Sequence, residues 1–240
     1  GVAPGEDTFG VTFSIPNDSP GLKFFCRESF TKIPRSQFDH PLSSRFEEMD
    51  ALAVFDDVLV PWDRVMVDGS PGTAEIVNGR QANLGAVPGA GTAQAGMALM
   101  ASQTGARMLS NMEFFTGLAM KIADSIGIDR FLHVQEKLGE MISHLEVARS
   151  VFWGSAAMGV EGPGGIWTLG GFGPRAFHLQ TMRIYRRMVE IVQILSAGGF
   201  FSIPTEADMA NPEIRPYMDK YLRGRAGVTA EERVKLLENL

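Results

Sequence analysis

The spacing of the apolar residues changes near residue 75, and this change limits the chain to folds that combine strands with long helices. Apolar residues alternate with others in VTFSI and in LKFFC, which is the pattern of half-buried strands. Beyond the stretch DGSPGTAEIVNGR, apolar residues recur at every third or fourth position, as on one face of a helix. The sequence therefore predicts a β part over residues 1–75 and a helical part over residues 76–240.

Three long helices are predicted in the helical part. The first carries apolar residues from Met112 to Ile126, the second spans about 134–152, and the residues GID join them. The third runs from Pro174 to Ala197 and has two apolar stripes, so we expect it to pack against more than one neighbour, including a second subunit. Long helices with short connections form bundles. The predicted fold class is thus α+β, mainly α.

Composition and charge exclude several classes of function. The 240-residue chain carries a formal net charge of −6, whereas nucleic-acid-binding proteins usually present a basic face. No leader-like segment opens the sequence, and no uninterrupted apolar run reaches the roughly 18 residues that a membrane span needs. We therefore expect a cytoplasmic protein that binds neither nucleic acid nor membranes. The single cysteine, Cys26, is predicted to be a small core residue.

The polar residues give no complete catalytic or metal-binding motif. None of the four histidines belongs to a ligand pair of the H-E-x-x-H kind, so no metal site is predicted. His40 lies in QFDHPLSSRFEEMD, where it is either a functional imidazole or part of a hydrogen-bonded corner that pins a β-loop. Ser43 and Ser44 lack the G-x-S-x-G context of a nucleophile.

The stretch ILSAGGFFSIPTEADM, residues 194–209, places two glycines after an apolar helix. Without side chains, Gly198 and Gly199 allow a phosphate group to approach their backbone N–H groups closely. A glycine pair after a helix also serves as a C-terminal cap. The residues alone leave both interpretations open.

Four stretches in order along the chain carry a more specific signal. They are FDHPLSSRFEEMDALAVFDDVLVPWDRV, HVQEKLGEM, LSAGGFFSIPTEADM and AEERVKLLENL. Together they resemble the oxygenase component of the 4-hydroxyphenylacetate 3-monooxygenase family, within the acyl-CoA dehydrogenase fold superfamily. The resemblance implies that residues 1–75 are the later part of a middle β-barrel domain. It also implies that residues 76–240 are most of a C-terminal four-helix bundle that assembles a homotetramer or homodimer, so the chain would be a fragment of a longer protein.

The resemblance also implies a cofactor site. In the superfamily, a segment of this kind lies against the diphosphate and adenosine part of FAD bound largely by a neighbouring subunit. The matching positions are Gln193, Ser196, Ala197, Gly198 and Gly199, with Phe200 and Phe201 beneath the cofactor or at the interface. The family's catalytic residues lie mostly upstream of this chain, so no catalytic residue is assigned.

The activity implied is that of a two-component FAD-dependent monooxygenase. A flavin reductase would supply reduced FAD, and O2 would provide the oxygen atom added to the carbon ortho to the hydroxyl of a phenolic substrate. One alternative is a flavoenzyme like 4-hydroxybutyryl-CoA dehydratase, although the cysteine and histidine that such enzymes carry near RQANLGAVPGAG are missing here. Another is a non-catalytic fragment that only forms oligomers.

Overall fold

The computed structural model of the chain describes residues 5–29, 36–46, 48–72, 93–161, 167–170 and 173–239. It divides into two compact units. The first unit comprises residues 1–27, 49–105 and 152–176, and the second comprises residues 28–48, 106–151 and 177–240. The predicted division into domains 1–75 and 76–240 stays a prediction, and the motif RQANLGAVPGAG lies outside the described residues.

Four strands of the first unit form two antiparallel ladders. They are β1 (Val11–Phe13), β2 (Leu22–Cys26), β3 (Ala51–Phe55) and β4 (Val65–Asp68), paired as β1 with β4 and β2 with β3. The strand predicted for LKFFC is confirmed over its full length, with Leu22 opposite Phe55 and Cys26 opposite Ala51. A tight corner follows β3, where Asp57 has a φ of 54°.

The prediction that Cys26 is a core residue is wrong, because its side chain is exposed. Its neighbours in β2, Phe24 and Phe25, are also exposed, at 44% and 63%. Alternation of apolar residues identifies a strand correctly but does not show whether other parts of the protein bury its faces. In the described part of the first unit, β2 has one partner strand and no layer that buries both of its faces.

The three predicted long helices are confirmed. They are α1 (Ala93–Ile126), α2 (Leu132–Ala157) and α3 (Gly173–Ser196). The residues between α1 and α2 include the predicted GID connection, where Gly127 has a φ of 74°. The glycine-rich stretch GVEGPGGIWTLGGFGP before α3 contains a short ladder of β5 (Val160–Glu161) and β6 (Trp167–Thr168).

The three long helices bury apolar stripes in the second unit. The first predicted stripe of α3 consists of Ile184, Met188, Ile191 and Leu195. Its last three residues are exposed by 2% or less, and Ile184 is half-buried. Met112 and Ile122 of α1 and Val134 and Met141 of α2 are equally buried. Full burial of one such side chain contributes about 1.5–3 kcal/mol. Because Leu195 lies at the C-terminal end of α3, its burial anchors that end in the second unit.

Ion pairs on the helix surfaces also link α3 to α2. The Arg187 guanidinium of α3 donates from Nε to Glu140 Oε1 at 2.7 Å and from Nη2 to Glu140 Oε2 at 3.0 Å. Hydrogen bonding from Arg187 lowers the pKa of the Glu140 carboxyl, and the charge of Arg187 acts in the same direction. A two-bond contact of this kind restricts sliding of one helix along the other.

Three short helices complete the second unit: α4 (Glu206–Ala210), α5 (Arg215–Tyr221) and α6 (Ala230–Leu237). Thr205 and Asp208 form a capping box on α4, as Thr229 and Glu232 do on α6. Because reciprocal bonds satisfy the free N–H groups of the first turn, both helices begin at defined residues.

Candidate functional site

The glycine segment starts where α3 ends, but the left-handed residue there is not a glycine. Ala197 has a φ of 51°. Gly198 has φ −76° and ψ −1°, and Gly199 opens a 3-10 turn that ends at Ser202. Ala197 thus fills the position at which helices often use glycine. The cap interpretation therefore does not explain why residues 198 and 199 are glycines.

The two glycines stand in different surroundings. A Cβ added at Gly199 would lie 3.3 Å from Arg233 Nη2 and 3.4 Å from Leu237 Cδ1, both on α6. The space beside Gly199 is therefore tight, although both neighbouring atoms are the ends of flexible side chains. A Cβ added at Gly198 would have no neighbour within 4 Å. Gly198 thus leaves an open space on the exposed side of the backbone, which suits the close approach of an outside group.

The other predicted residues of the segment divide between surface and interior. Gln193 and Ala197, one helical turn apart, are exposed. Ser196 is 2% exposed, and its hydroxyl donates to the Val192 carbonyl at 2.7 Å. The structure therefore brings Gln193, Ala197 and Gly198 to one surface, whereas the Ser196 side chain points into the helix packing.

A free backbone donor lies on the same segment. The Ala197 N–H donates to the Ile194 carbonyl at 3.0 Å. Among the described residues, no backbone carbonyl accepts a hydrogen bond from the Gly198 N–H, whereas Gly199 opens the 3-10 turn. A free N–H group in an exposed turn attracts anions. An open Gly198 with this donor fits the phosphate part of a cofactor.

Asp39, which the sequence analysis did not single out, connects this region to a distant part of the chain. Its Oδ1 accepts a hydrogen bond from the Glu206 N–H at 2.6 Å. The neighbouring Phe38 is 9% exposed and packs in a cluster with Met209, Ala230 and Val234. A separation of 167 residues between Asp39 and Glu206 leaves no local pattern from which this contact could be predicted.

The turn around His40 is a hydrogen-bonded corner, as one of the two interpretations proposed. Ser36 Oγ accepts from the Phe38 N–H at 3.0 Å, and the His40 N–H donates to the Ser36 carbonyl at 3.0 Å. The corner does not pin a β-loop, however. It belongs to the second unit, where Phe38 packs against α4 and α6.

We expect Asp39→Ala to destabilise the second unit by about 1 kcal/mol, because the Glu206 N–H then loses its acceptor. Thermal unfolding would measure the loss. Asp39→Asn keeps an acceptor oxygen and should cost less than Asp39→Ala. Equal stabilities for the alanine variant and the unchanged protein would contradict a role for this contact.

A second prediction concerns Glu238, which follows α6. Burial raises the pKa of its carboxyl, and the negative charge of Asp39 adds to the increase. The folded state therefore disfavours the charged carboxylate, so stability decreases as pH rises through the raised pKa. Glu238→Gln should raise the unfolding temperature at pH 7, and the gain should vanish below about pH 4.3. A gain that persisted at low pH would contradict this explanation.

The described residues can also be compared with the requirements of a metal site and of a membrane-spanning helix. No group of three or more His, Cys, Asp and Glu side chains there is arranged to hold a metal ion. None of the described helices is long and apolar enough to cross a membrane.

Known proteins match the chain along nearly its whole length. Residues 91–240 match the family described as 4-hydroxyphenylacetate 3-hydroxylase C terminal, and residues 1–67 match 4-hydroxyphenylacetate 3-hydroxylase N terminal. The chain belongs to the 4-hydroxyphenylacetate 3-hydroxylase family. The resemblance seen in the four sequence stretches is thereby confirmed.

Curated members of the 4-hydroxyphenylacetate 3-hydroxylase family are longer than this chain. A 4-hydroxyphenylacetate 3-monooxygenase oxygenase component from Thermus thermophilus is 37% identical over 232 residues, which cover 97% of this chain and 45% of that protein. The oxygenase component of a 4-nitrophenol 2-monooxygenase from Rhodococcus is 34% identical, with coverage of 97% and 42%. The chain thus spans less than half the length of these relatives.

Solved structures agree with the family assignment. The oxygenase component HpaB of 4-hydroxyphenylacetate 3-monooxygenase, complexed with FAD, superposes with a TM-score of 0.84 at 34% identity, over 99% of this chain and 47% of that one. An archaeal 4-hydroxybutyryl-CoA dehydratase from N. maritimus has a TM-score of 0.82 at 22% identity, over 99% of this chain and 45% of that one, which indicates a shared fold alone. The predicted mixed fold, mainly helical, is confirmed as that of HpaB.

Proposed function

We propose that this chain is part of the oxygenase component of a two-component FAD-dependent monooxygenase that hydroxylates a phenol at the ortho carbon. The observation that carries the proposal is the match to an oxygenase component at 37% identity over 97% of the chain. The substrate class is a phenol like 4-hydroxyphenylacetate, the compound bound with FAD in a solved HpaB structure.

The cofactor segment fits this proposal. Gly198 and Gly199 would offer their backbone N–H groups to the diphosphate of FAD, and the exposed Gln193 and Ala197 would border it. Ser196 would contribute by its position at the end of α3 and not by its side chain, since its hydroxyl already donates to the Val192 carbonyl. When bound, reduced FAD reacts with O2 and supplies the oxygen atom that is added to the phenol. The task of these residues is to bind and orient the cofactor.

The aromatic pair beyond the glycines has a role in excluding water. The rings of Phe200 and Phe201 lie 4.1 Å apart between centroids, and Phe201 is 80% exposed. An apolar surface beside a cofactor site is covered when the cofactor or a second subunit docks there. The proposal accordingly includes a homotetramer or homodimer in which neighbouring subunits complete each flavin site.

The same proposal extends to architecture and partners. The strands β1 to β4 would be the end of a β-barrel domain, and α1 to α3 most of an acyl-CoA dehydrogenase-like four-helix bundle. A separate flavin reductase would deliver reduced FAD by diffusion in the cytoplasm. Both extensions depend on the family relationship and are open to direct test in a family member of full length.

Dehydratase chemistry is the less favoured alternative. The dehydratase likeness is at 22% identity and supports the fold only. The cysteine and histidine that such enzymes carry near RQANLGAVPGAG are missing here, and Cys26 is the only cysteine of these 240 residues. The second alternative, an oligomerising fragment without activity, applies to the 240 residues taken alone.

The test uses the full-length protein that carries this segment, together with a flavin reductase, NADH, FAD and 4-hydroxyphenylacetate. Under 18O2, we expect a product that gains one labelled hydroxyl group ortho to the first. Failure to hydroxylate this compound or any other para-substituted phenol would overturn the proposal. For the 240 residues alone, multimers that bind no FAD would identify the non-catalytic alternative.

A further inference from the structure

We infer that Arg233 is a further contact for the anionic diphosphate of the cofactor, acting beside the glycine pair. The inference rests on the proposed function, because it assigns an additional residue to the same site. It starts from a residue of α6 that follows Gly198 by 35 positions and lies in the stretch AEERVKLLENL. Arg233 is not among the cofactor residues that the family resemblance implied.

The Arg233 guanidinium lies directly against the candidate segment. Its Nη2 is 3.3 Å from the point where a Cβ on Gly199 would stand. Its Nη1 donates to the Leu222 carbonyl at 3.2 Å, which fixes the plane of the group at the end of α5. A guanidinium has five N–H donors, so donors remain for another acceptor next to the backbone of the glycine pair.

The charge of Arg233 is not balanced within the described chain. The other half-buried arginines among the described residues of the second unit are Arg149, Arg187 and Arg215. Each forms an ion pair with a carboxylate at 2.9 Å or less. No carboxylate of the described residues lies within ion-pair distance of Arg233, although its side chain is also half-buried. Partial burial of a charge without a partner is unfavourable, so the site favours an anion that comes from outside the chain.

The acidic residues on the same helix are engaged elsewhere. Glu231 pairs with Lys235 at 2.8 Å and with Arg215 at 3.4 Å. Glu232 accepts from the Thr229 N–H at 2.9 Å as part of the capping box. Because these carboxylates already have partners, Arg233 remains available for a phosphate group close to Gly199.

A comparison of two flavins in the full-length protein tests the inference. Reduced FAD carries the diphosphate, whereas reduced riboflavin has the same ring system without phosphate. Anaerobic titration would give both dissociation constants for the unchanged protein, for Arg233→Met and Arg233→Lys, and for a control, Arg223→Met. Arg223 is an exposed arginine two residues beyond the end of α5, so the control removes one positive charge nearby without removing a residue assigned to the site.

We expect Arg233→Met to weaken the binding of reduced FAD by about 10- to 100-fold, as for loss of a charge-assisted hydrogen bond, and to leave riboflavin unchanged. Arg233→Lys should recover part of the loss, and Arg223→Met should change neither constant. Equal losses for FAD and riboflavin, together with a lower unfolding temperature, would overturn the inference and indicate a packing role. Unchanged FAD binding would also overturn it. If the unchanged protein bound neither flavin, the proposed function itself would fail.

Discussion

Replacing Gly198 by valine in the full-length protein is expected to weaken the binding of reduced FAD by about 10- to 100-fold. The valine side chain would enter the space that the diphosphate occupies, and such a close contact reduces the binding free energy by about 1–3 kcal/mol. The fold should not change, because the φ of −76° suits any residue and a Cβ at this position meets no atom within 4 Å. Flavin titration and thermal unfolding would together separate binding from stability.

Two other glycines provide matched comparisons. Gly139 on α2 is exposed and also has no neighbour within 4 Å of an added Cβ, so Gly139→Val should affect neither FAD binding nor folding. Gly199→Val should lower the unfolding temperature, because the new side chain meets Arg233 and Leu237. Unchanged FAD affinity in Gly198→Val would remove the basis for placing the cofactor at this segment.

The largest expected effect on stability comes from Ile191→Ala. Ile191 is completely buried in α3, and truncation of a buried isoleucine costs about 2–5 kcal/mol through lost contacts and the cavity that remains. Because α3 leads directly into the glycine segment, we expect a weaker FAD affinity to accompany the loss. Thermal unfolding in the presence and absence of FAD would measure both.

Ile194 is the matched control on the same helix, since it is 48% exposed. Ile194→Ala makes the same chemical change three residues further on, and we expect it to cost less than half as much as Ile191→Ala. A cost at Ile191 no larger than at Ile194 would contradict the placement of the stripe Met188, Ile191 and Leu195 in the core.

Local patterns predicted the elements whose structure depends on local contacts. The period of three to four residues located α2, α3 and the second half of α1, because each helix buries a stripe of its own side chains. Alternation located β2 over all of Leu22–Cys26. The pairing of β1 with β4 and the exposure of Cys26 were not predictable in this way, because they depend on distant parts of the chain.

In the candidate site, too, the local sequence identified the segment, whereas its contacts depend on the fold. The family resemblance pointed to residues 193–199, but only the fold distinguishes the open Gly198 from the packed Gly199. The contact of Asp39 with the Glu206 N–H arises from long-range packing. So does the position of Arg233, which has no ion-pair partner among the described residues. Periodicity along the sequence carries no information about such contacts.

A crystal structure of the full-length protein with bound FAD tests the central claim most directly. The deciding measurement is the distance from the diphosphate oxygens to the backbone nitrogens of Gly198 and Gly199. We predict at least one N–H···O contact of about 2.7–3.2 Å in each flavin site. A diphosphate held by another segment, with residues 193–199 remote from every bound FAD, would contradict the assignment.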